Sequence, residues 1–203
     1  MKLRMNRASP FARKVRVLAR ECGIAPRIEE IDTTVSPVAA NDELARENPL
    51  VKIPALVTDG GETLYDSRVI CEYLDSLHAG RRLFPEDGAR RYSALRRQAL
   101  ADGMLDAAVL CRYETAVRPE ALRWREWIAG QKRKVFGGLA AFDAEAADWA
   151  DAFDIGHIGA ACACGYLDFR FADWDWRADH PRLARWFERA AKRPSMVDTV
   201  PPS

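Results

Sequence analysis

Two periodicities divide the chain. Short apolar runs with turn signals fill its first part, and 3.6-residue helical patterns fill the rest. Met1 to Met5 reads as a short extended segment around Leu3, followed by a turn at Asn6-Arg7-Ala8-Ser9-Pro10. Phe11 to Cys22 is a predicted helix: Phe11, Val15, Leu18 and Cys22 fall on one face, and Arg13, Lys14, Arg16 and Arg20 on the other. Gly23 ends it, as a C-terminal glycine should. Arg27 to Asp32, with Ile28 and Ile31, is a second strand. Thr33 to Pro49 is polar and loop-like, with a short helix around Asp42 to Glu47. Lys52-Ile53-Pro54-Ala55-Leu56-Val57 leads into a strand, Asp59-Gly60-Gly61-Glu62 carries a hairpin turn signal, and Thr63-Leu64-Tyr65 returns. Asp66-Ser67 opens a helix to about Leu77 whose apolar face is Val69, Ile70, Tyr73, Leu74 and Leu77.

The order is therefore β-α-β-α-β-β-α over residues 1–78: a parallel β-α-β unit, then an antiparallel hairpin and a helix. Residues 79–88 are rich in Gly, Pro and charge, as a linker should be. Residues 89–203 carry almost no strand signal and form an expected all-helical domain. Its helices are expected over Ala89 to Ala116, from Pro119 to about Ala144, from Ile155 to about Phe169, and from Pro181 to Ala191. The third is apolar and small on most sides, which marks a central, buried helix.

Composition narrows the function classes. A net charge of +1 supplies no strong field for nucleic acid or an anionic membrane. No apolar run approaches the ~20 residues that span a bilayer, and no secretory apolar region follows the polar start, so a cytoplasmic location is expected. The cysteines (Cys22, Cys71, Cys111, Cys162 and Cys164) are odd in number and irregular in spacing, which suits free thiols in a reducing compartment. Cys162 and Cys164 are two apart on a predicted helix and do not face each other, so no metal site is expected there.

Three features offer chemistry. Ser9-Pro10 at a helix start has a plain explanation, a cap followed by a favoured first-turn proline. The same geometry presents free N–H groups and a positive dipole end to an anion, and the hydroxyl can donate to a bound thiolate. Ile53-Pro54 is either a trans proline at a strand start or a cis proline in a tight turn that leaves the Ile53 backbone open to a peptide-like ligand. Asp66-Ser67 is either another cap or a carboxylate-binding helix start, with Asp66 available to an ammonium group. Each feature is common alone. Their joint order on this frame is not.

On those residues the chain resembles a cytosolic-type glutathione transferase, serine-type, along essentially its whole length, and most resembles small bacterial members. Ser9-Pro10-Phe11-x-x-Lys14-Val15-Arg16 matches the active-site turn, Asn48-Pro49-x-x-Lys52-Ile53-Pro54-Ala55-Leu56 the cis-proline segment, and Asp66-Ser67-x-x-Ile70-x-x-Tyr73-Leu74 the γ-glutamyl turn and helix. The resemblance implies a thioredoxin-like α/β N-terminal domain followed by an all-α helical-bundle C-terminal domain. It implies that Ser9 stabilises the glutathione thiolate, that the Ile53 backbone beside Pro54 pairs with the cysteinyl part, that Asp66 and Ser67 hold the γ-glutamyl end, and that Lys52 meets the glycyl carboxylate. Asp66 departs from the family's usual Glu or Gln. In the second domain Asp154 stands as the cap of a buried helix, with Phe153 and Ile158 as its hydrophobic staple and His157 where the family has an acid. A packed, structural role is expected for His157. Phe11, Leu100, Met104, Ala108 and Cys111 are the candidates for a second-substrate pocket; the last four follow helical spacing and could equally be core.

The expected function is transfer of glutathione, as co-substrate, to an electrophilic small molecule, with a detoxifying role, without a metal, in a homodimer that binds neither nucleic acid nor membrane. The alternative keeps the fold without turnover, as a ligand-binding or scaffold protein.

Overall fold

The computed structural model describes residues 1–202. It divides into two compact units: Met1–Arg91 together with the tail from Pro194, and Tyr92–Arg193.

The first unit is built on a four-stranded mixed sheet of order β2-β1-β3-β4. Strand β1 (Lys2–Met5) buries Leu3 and Met5 on one face. On the other, Arg4 binds Glu43 and Glu47 of α2 (Asp42–Glu47) through its guanidinium at 2.6 and 2.8 Å. Strand β2 (Glu29–Asp32) runs parallel to β1 at the sheet edge, and β3 (Ala55–Val57) runs antiparallel on the other side. Strand β4 (Thr63–Leu64) closes the hairpin after Asp59-Gly60-Gly61, where Gly61 takes φ +85°, a conformation open to glycine.

Helix α1 (Pro10–Glu21) packs against α3 (Ser67–Ser76). Its basic face is not in solvent: Arg13, Lys14 and Arg16 are buried. Arg16 meets Glu30 at 2.8 Å, and Arg13 donates to the Met196 carbonyl at 3.1 Å and lies 3.5 Å from the Thr199 hydroxyl. Met196 lies in the short helix α9 (Pro194–Val197). Helical periodicity ranks arginine as polar and so assigns this face to water. The tail supplies acceptors that no local pattern reveals.

The second unit is helical. Helix α4 (Gly88–Ala116) leads into it, followed by α5 (Arg125–Ala146), α6 (Ile155–Arg170), the short α7 (Trp176–Asp179) and α8 (Pro181–Ala190). Helix α5 begins at Arg125 and not near Pro119. Pro119 is extended (φ −53°, ψ 138°), a 3₁₀ turn takes Glu120–Leu122, and the buried Glu114 carboxylate accepts from the Trp124 N–H at 2.9 Å, holding the chain out of helix for one more turn.

Helix α6 is buried along Ile155–Leu167 and capped reciprocally. Asp154 accepts from the Gly156 and His157 N–H groups, while the His157 ring faces the Asp154 N–H. Phe153 and Ile158 are both buried beside the cap. Helix α8 draws its cap from another helix: Asp143 of α5 accepts from the N–H groups of Arg182 and Leu183 at 2.8 and 2.9 Å.

Candidate functional site

The strand directions bring the three sequence features to one edge of the sheet. Arg4 of β1 faces Ala55 of β3, so the segment just before Ala55, Ile53-Pro54, lies beside the end of β1 from which Asn6 to Ser9 departs. Leu56 faces Leu64, so β4 delivers Tyr65-Asp66-Ser67 to the same edge. Two helix N-termini, at Ser9 and at Asp66, open there.

Asn6 shapes the first turn. Its side chain accepts from the Ala8 N–H at 2.9 Å and donates to Asp32 at 3.2 Å, and its carbonyl accepts from the Ser9 N–H. Ser9 is half-buried and its Oγ accepts from the Ala12 N–H at 3.3 Å. Because the hydroxyl acts there as an acceptor, its proton is left to donate outward. Pro10 brings no N–H, and among the described residues the Phe11 N–H has no acceptor. The helix start therefore presents a hydroxyl proton, a free amide and the positive dipole end together.

The Ile53-Pro54 bond is cis, which selects between the two sequence alternatives. Ile53 precedes the strand, outside the β1–β3 register, with its side chain buried against Leu44 and Ala55. Asn48 fixes the loop before it by donating to the Lys52 carbonyl at 2.8 Å and accepting from the Leu50 N–H at 3.0 Å. The Lys52 side chain is exposed. Asp66 caps α3 by accepting from the Arg68 N–H at 2.9 Å and is itself exposed; Ser67 is buried, and its hydroxyl has no partner among the described residues.

The remaining candidates are Phe11 on α1 and four residues of α4. Phe11 is half-buried on α1, with the Lys14 ammonium 6.0 Å from its ring centroid. On α4, Leu100 is half-buried, while Met104, Ala108 and Cys111 are buried. Met104 fills the space above Gly138 of α5, and the Cys111 thiol lies 3.8 Å from the Ile128 carbonyl. Burial pushes that thiol's pKa up.

One group of metal-type donors exists among the described residues: Cys22, Asp75 and His78, mutually within 4.8 Å. Its hydrogen bonds do not fit a metal. His78 Nδ1 accepts from the Gly80 N–H, so Nε2 carries the ring proton and gives it to Asp75 at 3.1 Å. A metal at Nε2 would require a proton on Nδ1, facing that N–H. Asp75 also accepts from the N–H groups of Leu83 and Phe84. Burial, then the Asp75 charge, pushes the Cys22 thiol up to about 12 and keeps it protonated. The cluster stitches the end of α3 to the loop after it.

Sequence reasoning missed the tail that seats α1, and with it the indirect support of Ser9. Its contacts join residues 13 and 21 to 195, 196 and 199, separations at which no spacing signal exists.

Residues 8–77 match the family described as "Glutathione S-transferase, N-terminal domain" and residues 125–189 match "Glutathione S-transferase, C-terminal domain". An Escherichia coli (strain K12) protein named "Uncharacterized GST-like protein YibF" is 34% identical over 205 residues, covering 100% of this chain and 99% of that one. A glutathione transferase family member from Pseudomonas fluorescens Pf-5, solved with bound glutathione, is 49% identical with a TM-score of 0.97, covering 100% of this chain and 99% of that one. A second structure from the same source, with bound S-(propanoic acid)-glutathione, gives 48% and 0.93 over the whole of both chains.

Proposed function

The chain belongs to the glutathione transferase family, and on that premise we propose that it binds glutathione at the sheet edge holding Ser9, Ile53, Pro54, Asp66 and Ser67, and activates its thiol for attack on an electrophilic small molecule. The observation that carries this reading is the Ser9 hydroxyl, spare of its proton, beside a free amide at the start of α1.

The magnitudes agree. Lowering a thiol pKa by two units takes about 2.7 kcal/mol. One hydrogen bond to a charged group contributes about 1.5–3 kcal/mol, and a helix N-terminus about 0.3–1 kcal/mol. Ser9 need not lose a proton. The thiolate sulfur forms the new carbon–sulfur bond. The electrophile's leaving group departs with its electron pair, or an activated alkene passes the pair to its neighbouring carbon, which takes a proton from solvent. A relative that holds a glutathione S-conjugate supports conjugation over mere storage of glutathione.

At the rest of the site, the backbone of Ile53 pairs with the cysteinyl unit, Asp66 takes the γ-glutamyl ammonium and Ser67 its carboxylate, and Lys52 approaches the glycyl carboxylate. For the second substrate, Phe11, Leu100, Met104, Ala108 and Cys111 are the residues to probe, beginning with Phe11 and Leu100, which are only half-buried. We assign the protein to the cytoplasm as a homodimer with a detoxifying role, without a metal. No helix among the described residues is long and apolar enough to cross a membrane.

The test is an ultraviolet titration of protein-bound glutathione, following thiolate absorbance. A thiol pKa lowered by a unit or more is expected. Binding with an unshifted pKa would assign the protein to ligand carriage without turnover, and no binding would overturn the reading.

A further inference from the structure

Helix α8 buries Leu183, Ala184, Trp186, Phe187 and Ala190. Its outer face carries Arg182, Arg185 and Arg189, spaced i, i+3 and i+7 and therefore stacked along one side. With Ala146 and Ala147 at the end of α5, these arginines line a cavity of about 310 Å³. All five residues belong to the helical unit.

Among the described residues, no carboxylate pairs with any of the three guanidinium groups, and their one side-chain hydrogen bond runs from Arg189 to the Arg185 carbonyl at 3.2 Å. The acids close by in sequence do not balance them. Asp143 is taken by the backbone N–H groups of Arg182 and Leu183, and Glu145 by Arg96 and Arg97 at 2.6 and 2.8 Å. Asp148 and Glu188 are exposed and pair with none of the three. The end of α5 supplies the equivalent of only about half a negative charge. The cavity therefore holds a positive excess in a chain whose net charge is +1.

Three guanidinium forks with two alanines as the remaining wall suit a compact, multiply charged anion. Such forks grip phosphoryl oxygens in bidentate fashion. Arg182 and Arg189 stand about 10 Å apart along the helix axis, so a single phosphate does not serve all three, whereas a chain of phosphoryl groups offers oxygens to each. No aromatic ring lines the cavity to stack on a base. We propose that Arg182, Arg185 and Arg189 form a binding site for an oligophosphate chain, free or carried by a nucleotide. The site lies within one compact unit and stands whether or not the protein binds glutathione.

The test uses the full chain without glutathione or divalent cations, at constant ionic strength. Calorimetric titration compares tripolyphosphate, orthophosphate, ATP and adenosine. Tripolyphosphate is expected to bind at least about tenfold more tightly than orthophosphate, the return on one or two added charge-assisted hydrogen bonds. Arg185→Gln and Arg189→Gln should each remove most of that advantage without moving the melting temperature, since both side chains are exposed. Arg133→Gln, an exposed arginine of α5 outside the cavity, should leave it intact. ATP weaker than tripolyphosphate would make the free chain the ligand; ATP equal or tighter would make it the chain of a nucleotide. Equal binding of tripolyphosphate and orthophosphate by the wild type would overturn the proposal. So would adenosine binding as tightly as ATP, or an equal loss in Arg133→Gln, which would reduce the binding to diffuse surface charge.

Discussion

Two residues carry the sharpest single-site consequences. Ser9 serves both as the cap of α1 and as the proposed thiolate donor. Ser9→Ala should therefore cost about 1 kcal/mol of stability, the price of a lost cap. It should lower conjugation at least tenfold while changing glutathione affinity much less, which steady-state kinetics and calorimetric titration separate. Unchanged turnover would leave Ser9 as a cap alone. Asp154 offers a pH test. Burial pushes its carboxyl up, but the hydrogen bonds and charge of His157, with Arg97, outweigh burial and hold its pKa below the usual carboxylate value. A folded pKa below the unfolded one gives stability that is present above the unfolded value, about 4, and is lost as pH falls through the folded one. Asp154→Asn should therefore lower the urea midpoint at pH 7, and the gap from wild type should narrow as pH falls below about 4.

At the level of elements, α4 and α6 approach each other through glycines. A Cβ on Gly156 would lie 2.7 Å from the Ala94 carbonyl oxygen and 2.6 Å from Arg97 Cβ, and one on Gly159 would lie 3.0 Å from Ala101 Cβ. A backbone oxygen cannot rotate away, so Gly156→Ala should destabilise by about 1–3 kcal/mol. Gly137, inside α5 and with nothing within 4 Å of its Cβ position, is the control. There Ala should stabilise by about 0.5–1 kcal/mol through helix propensity. Thermal melts of the two variants should shift in opposite directions. Close approaches of this kind are invisible to periodicity, which shows only that α6 is apolar all round. The elements themselves were largely legible, because caps and turns announce them locally: Ser9-Pro10, Gly23, Asp66 and Asp154 all sit at helix boundaries. The start of α5 was not, since it depends on a carboxylate, Glu114, ten residues away from Trp124. The cap of α8 is also non-local, coming from Asp143. Candidate site residues near Ser9, Pro54 and Asp66 could be read because Ser9 and Asp66 stand at such boundaries and Pro54 directly precedes β3.

Across the whole molecule, the last residues belong with the first. Arg13, buried in α1, finds acceptors on Met196 and Thr199, and Ser195 donates to Glu21 at the other end of the same helix. Removing the chain after Arg193 should lower the melting temperature and weaken glutathione binding, although every proposed glutathione contact is retained. Differential scanning calorimetry and titration of the truncated protein would show this, and wild-type affinity in the truncation would reduce the tail to an ornament. The arrangement also has a consequence for biosynthesis. The sheet is translated first, and the partners of Arg13 follow 183 and 186 residues later. Until they are made, the nascent chain holds the whole proposed glutathione-contacting sequence without a seated first helix, and affinity for glutathione should arrive only once the tail is in place.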